Sequence, residues 1–190
     1  MILPFIHLQQ IQPIEQVKIE TRIVIPFYSQ FKDIESVSWR NKSCGIASLA
    51  MIINYYRPGT ITPQQLLIQG INSGAYVADA GWSHQGLINL AQKYDLVGET
   101  YYLTELSSSE AFDQFNDVIK EGPAIVSIHY KFDPKNPIPH LVVITNIEGD
   151  TVYYNDPATD GGNKEISVDQ FKKAWKKRFI TIRDIKNLKS

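Results

Sequence analysis

The spacing of hydrophobic residues changes at Pro123. Before this residue apolar positions recur at helical spacing, and after it runs rich in Val, Ile and Tyr are typical of strands. The predicted helices span residues 44–56, 63–69, 81–94 and 107–121, with one more capped by Ser167. The predicted strands span residues 23–25, 124–130, 140–147, 151–155 and 178–183. Helices first and an antiparallel sheet second predict an α+β fold, with the helical part packed on the sheet.

Local signals mark some of these boundaries. Thr62 and Gln65 have the spacing of a capping box, and Pro63 stands at the first helical position. The tripeptide Glu-Gly-Asp at residues 148–150 predicts a tight hairpin turn between the strands on either side. Residues 31–43 are polar and are expected to be irregular.

Length and composition predict one globular domain. The chain has 190 residues, of which 43% are hydrophobic and 21% charged, and it contains no repeat or linker-like tract. We expect an extended arm over residues 1–22 and a single domain over residues 23–190. The net charge of −1 argues against a strongly basic nucleic-acid binder. A local basic cluster is interpreted as a solvated helix face: Lys172, Lys173, Lys176, Lys177 and Arg178.

Several other classes are disfavoured. The one cysteine excludes an internal disulfide and a thiolate metal cluster, and the four histidines have no metal-ligand spacing, so no metal or cofactor is expected. No apolar run approaches the roughly 18 residues of a membrane span, and the first residues lack the pattern of a signal peptide. The compartment, cytoplasm or cell surface, and the oligomeric state stay open.

Cys44 is the first candidate for chemistry. It stands at the start of the apolar helix 44–56, where unpaired backbone N–H groups and the helix dipole favour the nucleophilic thiolate. Gly45 keeps the space beside the sulfur open to a substrate. The alternative is that Cys44 is a small hydrophobic core residue.

His140 and Asp156 are candidates for its partners. His140 opens a predicted strand after a proline-rich loop, where a general base could stand at the rim of the sheet. Pairing Ile147 with Thr151 across the hairpin would bring Asp156 toward the His140 end of the ladder. A carboxylate there can accept the imidazole N–H and hold its tautomer. Asn155 is the competitor for this role.

Three further residues are weighed for a role near the cysteine. The side-chain amide of Gln30, together with the Cys44 backbone N–H, could donate to a developing oxyanion. Trp82 could form a wall of a substrate groove, although packing alone explains it equally well. His84 is expected to be a surface histidine at a helix start, with a place in the groove as the alternative.

At these residues the sequence resembles the bacteriocin-processing cysteine peptidases, and among them the stand-alone bacterial branch. The resemblance lies in residues 24–30 (VIPFYSQ), 43–51 (SCGIASLAM), 140–143 (HLVV) and 154–157 (YNDP), with GW at 81–82, LI at 87–88 and YDL at 94–96. It implies a papain-like fold that acts on a peptide or protein substrate. It also implies Cys44 as nucleophile, His140 as general base, Asp156 as the residue that orients the base, and Gln30 in the oxyanion hole.

The sequence departs from that family in two respects. Ile46 stands where the family commonly has proline, which the helix should tolerate. The chain has no transporter portion, so a leader peptide is not the expected substrate. Two alternatives to a peptidase remain: a binding module that holds a peptide without cutting it, and another acyl-transfer or amidase reaction through the same thioester step.

Overall fold

The computed structural model describes residues 24–78 and 80–186, and the predicted arm at residues 1–22 lies outside the described residues. The helices are α1 (Val37–Arg40), α2 (Cys44–Tyr56), α3 (Pro63–Asn72), α4 (His84–Gln92), α5 (Ser108–Ile119) and α6 (Val168–Ala174). The strands are β1 (Tyr76–Val77), β2 (Gly81–Trp82), β3 (Leu96–Tyr102), β4 (Ala124–His129), β5 (Pro139–Glu148), β6 (Thr151–Asn155), β7 (Lys164–Ser167) and β8 (Trp175–Asp184).

A six-stranded antiparallel sheet forms the centre of the described residues. Its strand order is β3-β8-β4-β5-β6-β7, and β1 and β2 form a separate short hairpin. One face carries the core built with α2, α3 and α4, and the other carries an aromatic core in which Phe115, Phe171 and Phe179 are fully buried. The predicted α+β fold is confirmed, with the addition that α5 and α6 cover the second face of the sheet.

Helix α2 has the predicted bounds, and its apolar composition suits only a buried position. Every residue from Gly45 to Asn54 is buried, so the helix runs through the core between α3 and β5. The capping box of α3 is also confirmed. The Thr62 hydroxyl accepts from the backbone N–H of Gln65, whose side chain accepts in return from the N–H of Thr62.

Other predicted boundaries are wrong. Val24 and Ile25 lie in irregular backbone rather than in a strand, and the polar stretch before Cys44 contains the short helix α1. Helix α4 begins at His84 instead of residue 81 because the Ser83 hydroxyl caps it, accepting from the backbone N–H of Gly86 over 3.0 Å.

Two edge strands of the sheet, β3 and β7, are not among the strands predicted from the sequence. Strand β3 contains Gly98, and a glycine inside a run of residues argues against a strand prediction. A Cβ at this position would lie only 2.6 Å from the carbonyl oxygen of Thr181 on β8. Glycine therefore permits the close approach of β3 to β8, and the last residue of this strand, Tyr102, lines the cavity described below.

The hairpin β5–β6 forms with an irregular register. Ile147 pairs with Val152 rather than with the predicted Thr151. A bulge further along β5 shifts the register back by one residue, so Val143 pairs with Asn155. The ladder thus ends as predicted, with residue 156 following β6 toward the His140 end of β5.

The basic cluster does not form one helix face, which corrects the interpretation from the sequence. Helix α6 ends at Ala174, and the last three residues of the cluster belong to β8. Lys173 pairs with Asp169 on the helix surface, whereas Arg178 faces a cavity on the opposite side of the sheet.

Candidate active site

A cavity of about 460 Å³ opens where the start of α2 meets the start of β5. Cys44, the first residue of α2, and His140, the second residue of β5, both line it. One turn further along α2, the Ser48 hydroxyl donates to the carbonyl oxygen of Leu141. This contact ties the helix to the strand beside the cavity and fixes how their first residues face each other.

The imidazole of His140 lies between a carboxylate and a thiol. Its Nε2 and Oδ1 of Asp156 are 2.6 Å apart, and both side chains are buried. The ring also hydrogen-bonds the thiol of Cys44. Because Asp156 occupies Nε2, Nδ1 is the nitrogen that faces the sulfur. Tyr130 packs edge-on against the ring with centroids 5.1 Å apart, which further restricts its orientation.

The pKa values of the two reactive groups shift in opposite directions. Burial raises the pKa of the Cys44 thiol, but the hydrogen bond and charge of His140, together with backbone hydrogen bonds from Leu141 and Gly45, bring it below its ordinary value. Burial lowers the pKa of His140, but the hydrogen bonds to Asp156 and Cys44 raise it to about 9. The site therefore favours a thiolate beside an imidazolium.

Asp156, rather than Asn155, contacts the histidine. Oδ1 of Asp156 also accepts from the backbone N–H of Ala158 over 2.8 Å, which fixes the carboxylate. The side chain of Asn155 is buried elsewhere, where its Oδ1 accepts from the backbone N–H of Asn163 over 2.7 Å. Of the two candidates left open by the sequence, only Asp156 therefore reaches the imidazole.

Gln30 lies beside the segment that leads into α2. Its side-chain Nε2 donates to the carbonyl oxygen of Arg40 over 2.8 Å, and its backbone N–H donates to that of Pro157. The buried Gln30 thus links the residue after Asp156 to the end of α1, a few residues before Cys44. The contact with Arg40 uses one of the two amide hydrogens, and Gln30 is not among the residues that line the cavity.

Gly45 and Trp82 contact each other. A Cβ on Gly45 would lie 3.0 Å from Cβ of Trp82 and 3.1 Å from Cδ1 of Leu141, so the space beside Gly45 is filled by these side chains. Trp82 is buried, and its Nε1 donates to the carbonyl oxygen of Lys42 over 2.6 Å. Trp82 therefore holds the loop before Cys44 in place, and it also lines the cavity.

The far end of the cavity contains further polar residues, of which Ser127 and Arg178 have no predicted site role. His84 lines the cavity, which is the alternative to the expected surface position, and its Nε2 lies 3.1 Å from the Ser127 hydroxyl. Its ring stacks on Tyr102. Burial and the positive charge of Arg178 lower the pKa of His84 to about 4, so its imidazole is neutral near pH 7. The sequence places the start of a strand at Arg178, and this is the one feature that distinguishes Arg178 from the lysines of the basic cluster.

The described residues contain no cluster of three or more His, Cys, Asp or Glu side chains that could hold a metal ion. In the same part of the chain, no helix is both long and apolar enough to cross a membrane.

The family model described as the Peptidase_C39 like family matches residues 22–180. A double glycine motif protease from an AMS/PCAT transporter, solved in complex with the leader peptide, is 25% identical to this chain. The match covers 92% of this chain and 99% of that one, with a TM-score of 0.59. No curated protein matches the sequence.

Two other solved structures share the fold. A protein described as a C39-like peptidase from Bacillus anthracis is 20% identical over 82% of this chain and 92% of that one, with a TM-score of 0.59. The peptidase domain of Streptococcus ComA, described as a bi-functional ABC transporter involved in a quorum sensing pathway, is 17% identical. That match covers 75% of this chain and 92% of the other, with a TM-score of 0.56.

Proposed function

The chain belongs to the Peptidase_C39 like family, and we propose that it is a cysteine peptidase that hydrolyses peptide bonds through an acyl-thioester on Cys44. In this proposal residues 23–190 form one peptidase domain. The contact of His140 with both Cys44 and Asp156 carries the proposal. A histidine that engages a carboxylate through one nitrogen and a thiol through the other is the arrangement that activates a sulfur nucleophile.

The reaction follows from the charge states of these groups. The Cys44 thiolate attacks the carbonyl carbon of the scissile bond, and the His140 imidazolium gives its proton to the leaving amine. Neutral His140 then takes a proton from water, which attacks the thioester and releases the acyl product. Asp156 keeps the Nε2–H tautomer and favours the imidazolium state. Only a substrate and a water are consumed, so no cofactor is required.

The developing oxyanion needs two donors. The backbone N–H of Cys44 stands at the N-terminus of α2, where it has no partner within the helix. The second amide hydrogen of Gln30 is the other donor in this proposal. Nε2 of Gln30 is already held by the Arg40 carbonyl, so the amide would offer its second hydrogen from a fixed position.

A peptide is the substrate class that fits this site. The relative solved in complex with a leader peptide supports a peptide as the occupant of the cleft. Exposed apolar side chains at its rim, Tyr102 and Ile138, suit a chain of residues better than a small polar molecule.

Alkylation of Cys44 tests the activation of the nucleophile. Cys44 is the single cysteine of the chain, so uptake of iodoacetamide reports this residue alone. The labelling rate of the native protein is measured from about pH 4 to about pH 9, in parallel with His140→Ala. We expect fast labelling well below the ordinary thiol pKa of about 8.5, and its loss without His140. Slow labelling that rises only near that value in both proteins would sink the proposal.

A second experiment separates a peptidase from a binding module. A mixture of synthetic peptides is incubated with the wild-type protein and with Cys44→Ala, and products are identified by mass spectrometry. New peptide termini that depend on Cys44 support hydrolysis. Peptides that are retained by both proteins but never cut would instead indicate a module that binds without cleaving.

A further inference from the structure

The end of the cavity beyond the nucleophile carries a positive charge that no other described residue balances. Arg178 lines the cavity, and its guanidinium makes no hydrogen bond or ion pair with another described residue. Lys42 lines the same cavity, and among the described residues the lining contains no acidic side chain. Asp79, which adjoins Ala80 in the rim, lies outside the described residues.

Arg178 belongs to a row of residues that crosses four strands toward the nucleophile. Tyr102 on β3 pairs with Arg178 on β8, Arg178 pairs with Ser127 on β4, and Ser127 pairs with Leu141 on β5. Directly paired residues of an antiparallel sheet point to the same face. All four line the cavity, and the row ends beside His140. The sheet thus supplies a continuous floor from the guanidinium to the reactive centre.

In one tautomer of His84 the polar atoms beside Arg178 present a donor hydrogen to a ligand. His84 is neutral near pH 7, so it adds no positive charge, and its Nδ1 is buried without a hydrogen-bond partner among the described residues. When Nε2 of His84 carries the proton, it donates to the Ser127 hydroxyl, whose own hydrogen is then free for a ligand. A guanidinium and a hydroxyl on the same face suit a planar anion with two oxygens.

Arg178 also acts on a second cation. Burial and the charge of Arg178 lower the pKa of Lys176, so these two positive groups on β8 lie close enough to repel each other. A negative ligand in the cavity would relieve this repulsion. Because the site is partly buried, the attraction is screened less by salt than it would be on an open surface.

We propose that Arg178 and Ser127 form a subsite of the cleft that binds a carboxylate group of the peptide substrate. The inference deepens the proposed function, on which it rests, by naming a peptide with a carboxylate group near the scissile bond as the substrate class. Arg178 lies two strands away from Leu141, or about 10 Å at the usual strand spacing. An extended peptide covers that distance in about three residues. The carboxylate would be an acidic side chain or a free C-terminus at about that separation from the scissile bond.

Four alkylating peptides, in two pairs of one charged and one neutral probe, test the subsite on the native full-length chain without requiring turnover. Iodoacetyl-Gly-Gly-Glu-amide presents a side-chain carboxylate, and iodoacetyl-Gly-Gly-Gln-amide is its neutral isostere. Iodoacetyl-Gly-Gly-Gly with a free C-terminus presents a terminal carboxylate, with its amide as the neutral partner. All of them react at Cys44, and the second-order rate constants are measured by mass spectrometry near pH 7.

The rate ratio of each charged probe to its neutral partner reports the subsite. We expect a ratio of about ten in the wild type for one of the two carboxylates, because a charge-assisted hydrogen bond discriminates by about that factor. The ratio should fall to about one in Arg178→Gln and be partly retained in Arg178→Lys. The probe with the higher ratio identifies which of the two carboxylates is bound.

The control is Lys173→Gln, which removes the same charge from the surface of α6, and it should keep the wild-type ratio. The neutral probes report whether each variant still has a folded, reactive Cys44. Equal rates for charged and neutral probes in the wild type would overturn the carboxylate subsite, even with a fast-reacting Cys44. Uniformly slow rates would count against the proposed function, while the ratio between probes would still report the subsite.

Discussion

Nε2 of His140 and Oδ1 of Asp156 are 2.6 Å apart, with His140 on β5 and Asp156 directly after β6, and this contact determines which nitrogen faces Cys44. Strand β6 brings Asp156 to the end of β5 where His140 stands. Since the carboxylate engages Nε2, the proton exchanged with sulfur must be carried by Nδ1. The pairing of β5 with β6 therefore sets the orientation of the imidazole.

Replacement of Asp156 by alanine should weaken the thiolate of Cys44. Loss of the carboxylate removes a hydrogen bond that raises the pKa of His140, so less imidazolium is present to stabilise the thiolate. We expect the iodoacetamide labelling rate at pH 6 to fall by about tenfold or more. Asp160→Ala removes an exposed loop carboxylate that pairs with Lys32, and it should label like the wild type. Equal rates in all three proteins would contradict an orienting role for Asp156.

Peptide hydrolysis should lose activity on the alkaline side near pH 9. Burial opposes protonation of His140, but its hydrogen bonds to Asp156 and Cys44 raise its pKa to about 9. Above that pH the imidazolium that donates to the leaving amine disappears. The profile of kcat/KM against pH should therefore be bell-shaped, with both limbs belonging to the coupled Cys44–His140 pair. An alkaline limb near pH 6.5 would mean that the histidine titrates as an isolated group.

His84 should make the fold less stable in acid. Burial and Arg178 lower its pKa to about 4, whereas the unfolded chain binds this proton below about pH 6.5. The unfolded state therefore holds more protons between these values, so the stability present above pH 6.5 is lost as the pH falls toward 4. Compared with wild type, His84→Gln should lose less stability over this range, measured by urea unfolding at several pH values. A difference between the two proteins that does not change with pH would contradict this prediction.

Alanine at Gly70 should destabilise the protein through Trp82. The new Cβ would lie 2.6 Å from Cζ3 of Trp82, whose indole cannot withdraw freely because Nε1 is bound to the Lys42 carbonyl. Overpacking of this kind costs about 1–3 kcal/mol, and the helix preference of alanine offsets about 1 kcal/mol at most.

Urea unfolding provides the measurement for this variant. The control is Gly161→Ala, where a Cβ meets nothing within 4 Å, and its change in the free energy of unfolding should stay within about 0.5 kcal/mol. Equal stability of Gly70→Ala and wild type would show that Trp82 moves aside at no cost, and that its ring does not hold the loop before Cys44.

Several helices of this protein and their ends are determined by local sequence. Helix α2 is apolar around its whole circumference, so its bounds and its burial follow from its composition alone. The caps of α3 and α5 are formed by residues three apart, and such local hydrogen bonds need no tertiary information. The choice of Cys44, His140 and Asp156 as candidates also follows from local patterns together with the resemblance to a known family.

Only the tertiary structure decided how the remaining groups meet. Asn155 and Asp156 are neighbours in sequence, and the turn after β6 directs one side chain to Asn163 and the other to His140. Arg178 ends a basic run that resembles a helix face. In the structure it lies on β8, where it pairs with Ser127 on β4 and lines the cavity. Strand pairing joins residues that are distant in sequence, and a register or a bulge depends on which neighbouring strands complete the ladder. The local spacing of apolar residues carries no information about those contacts.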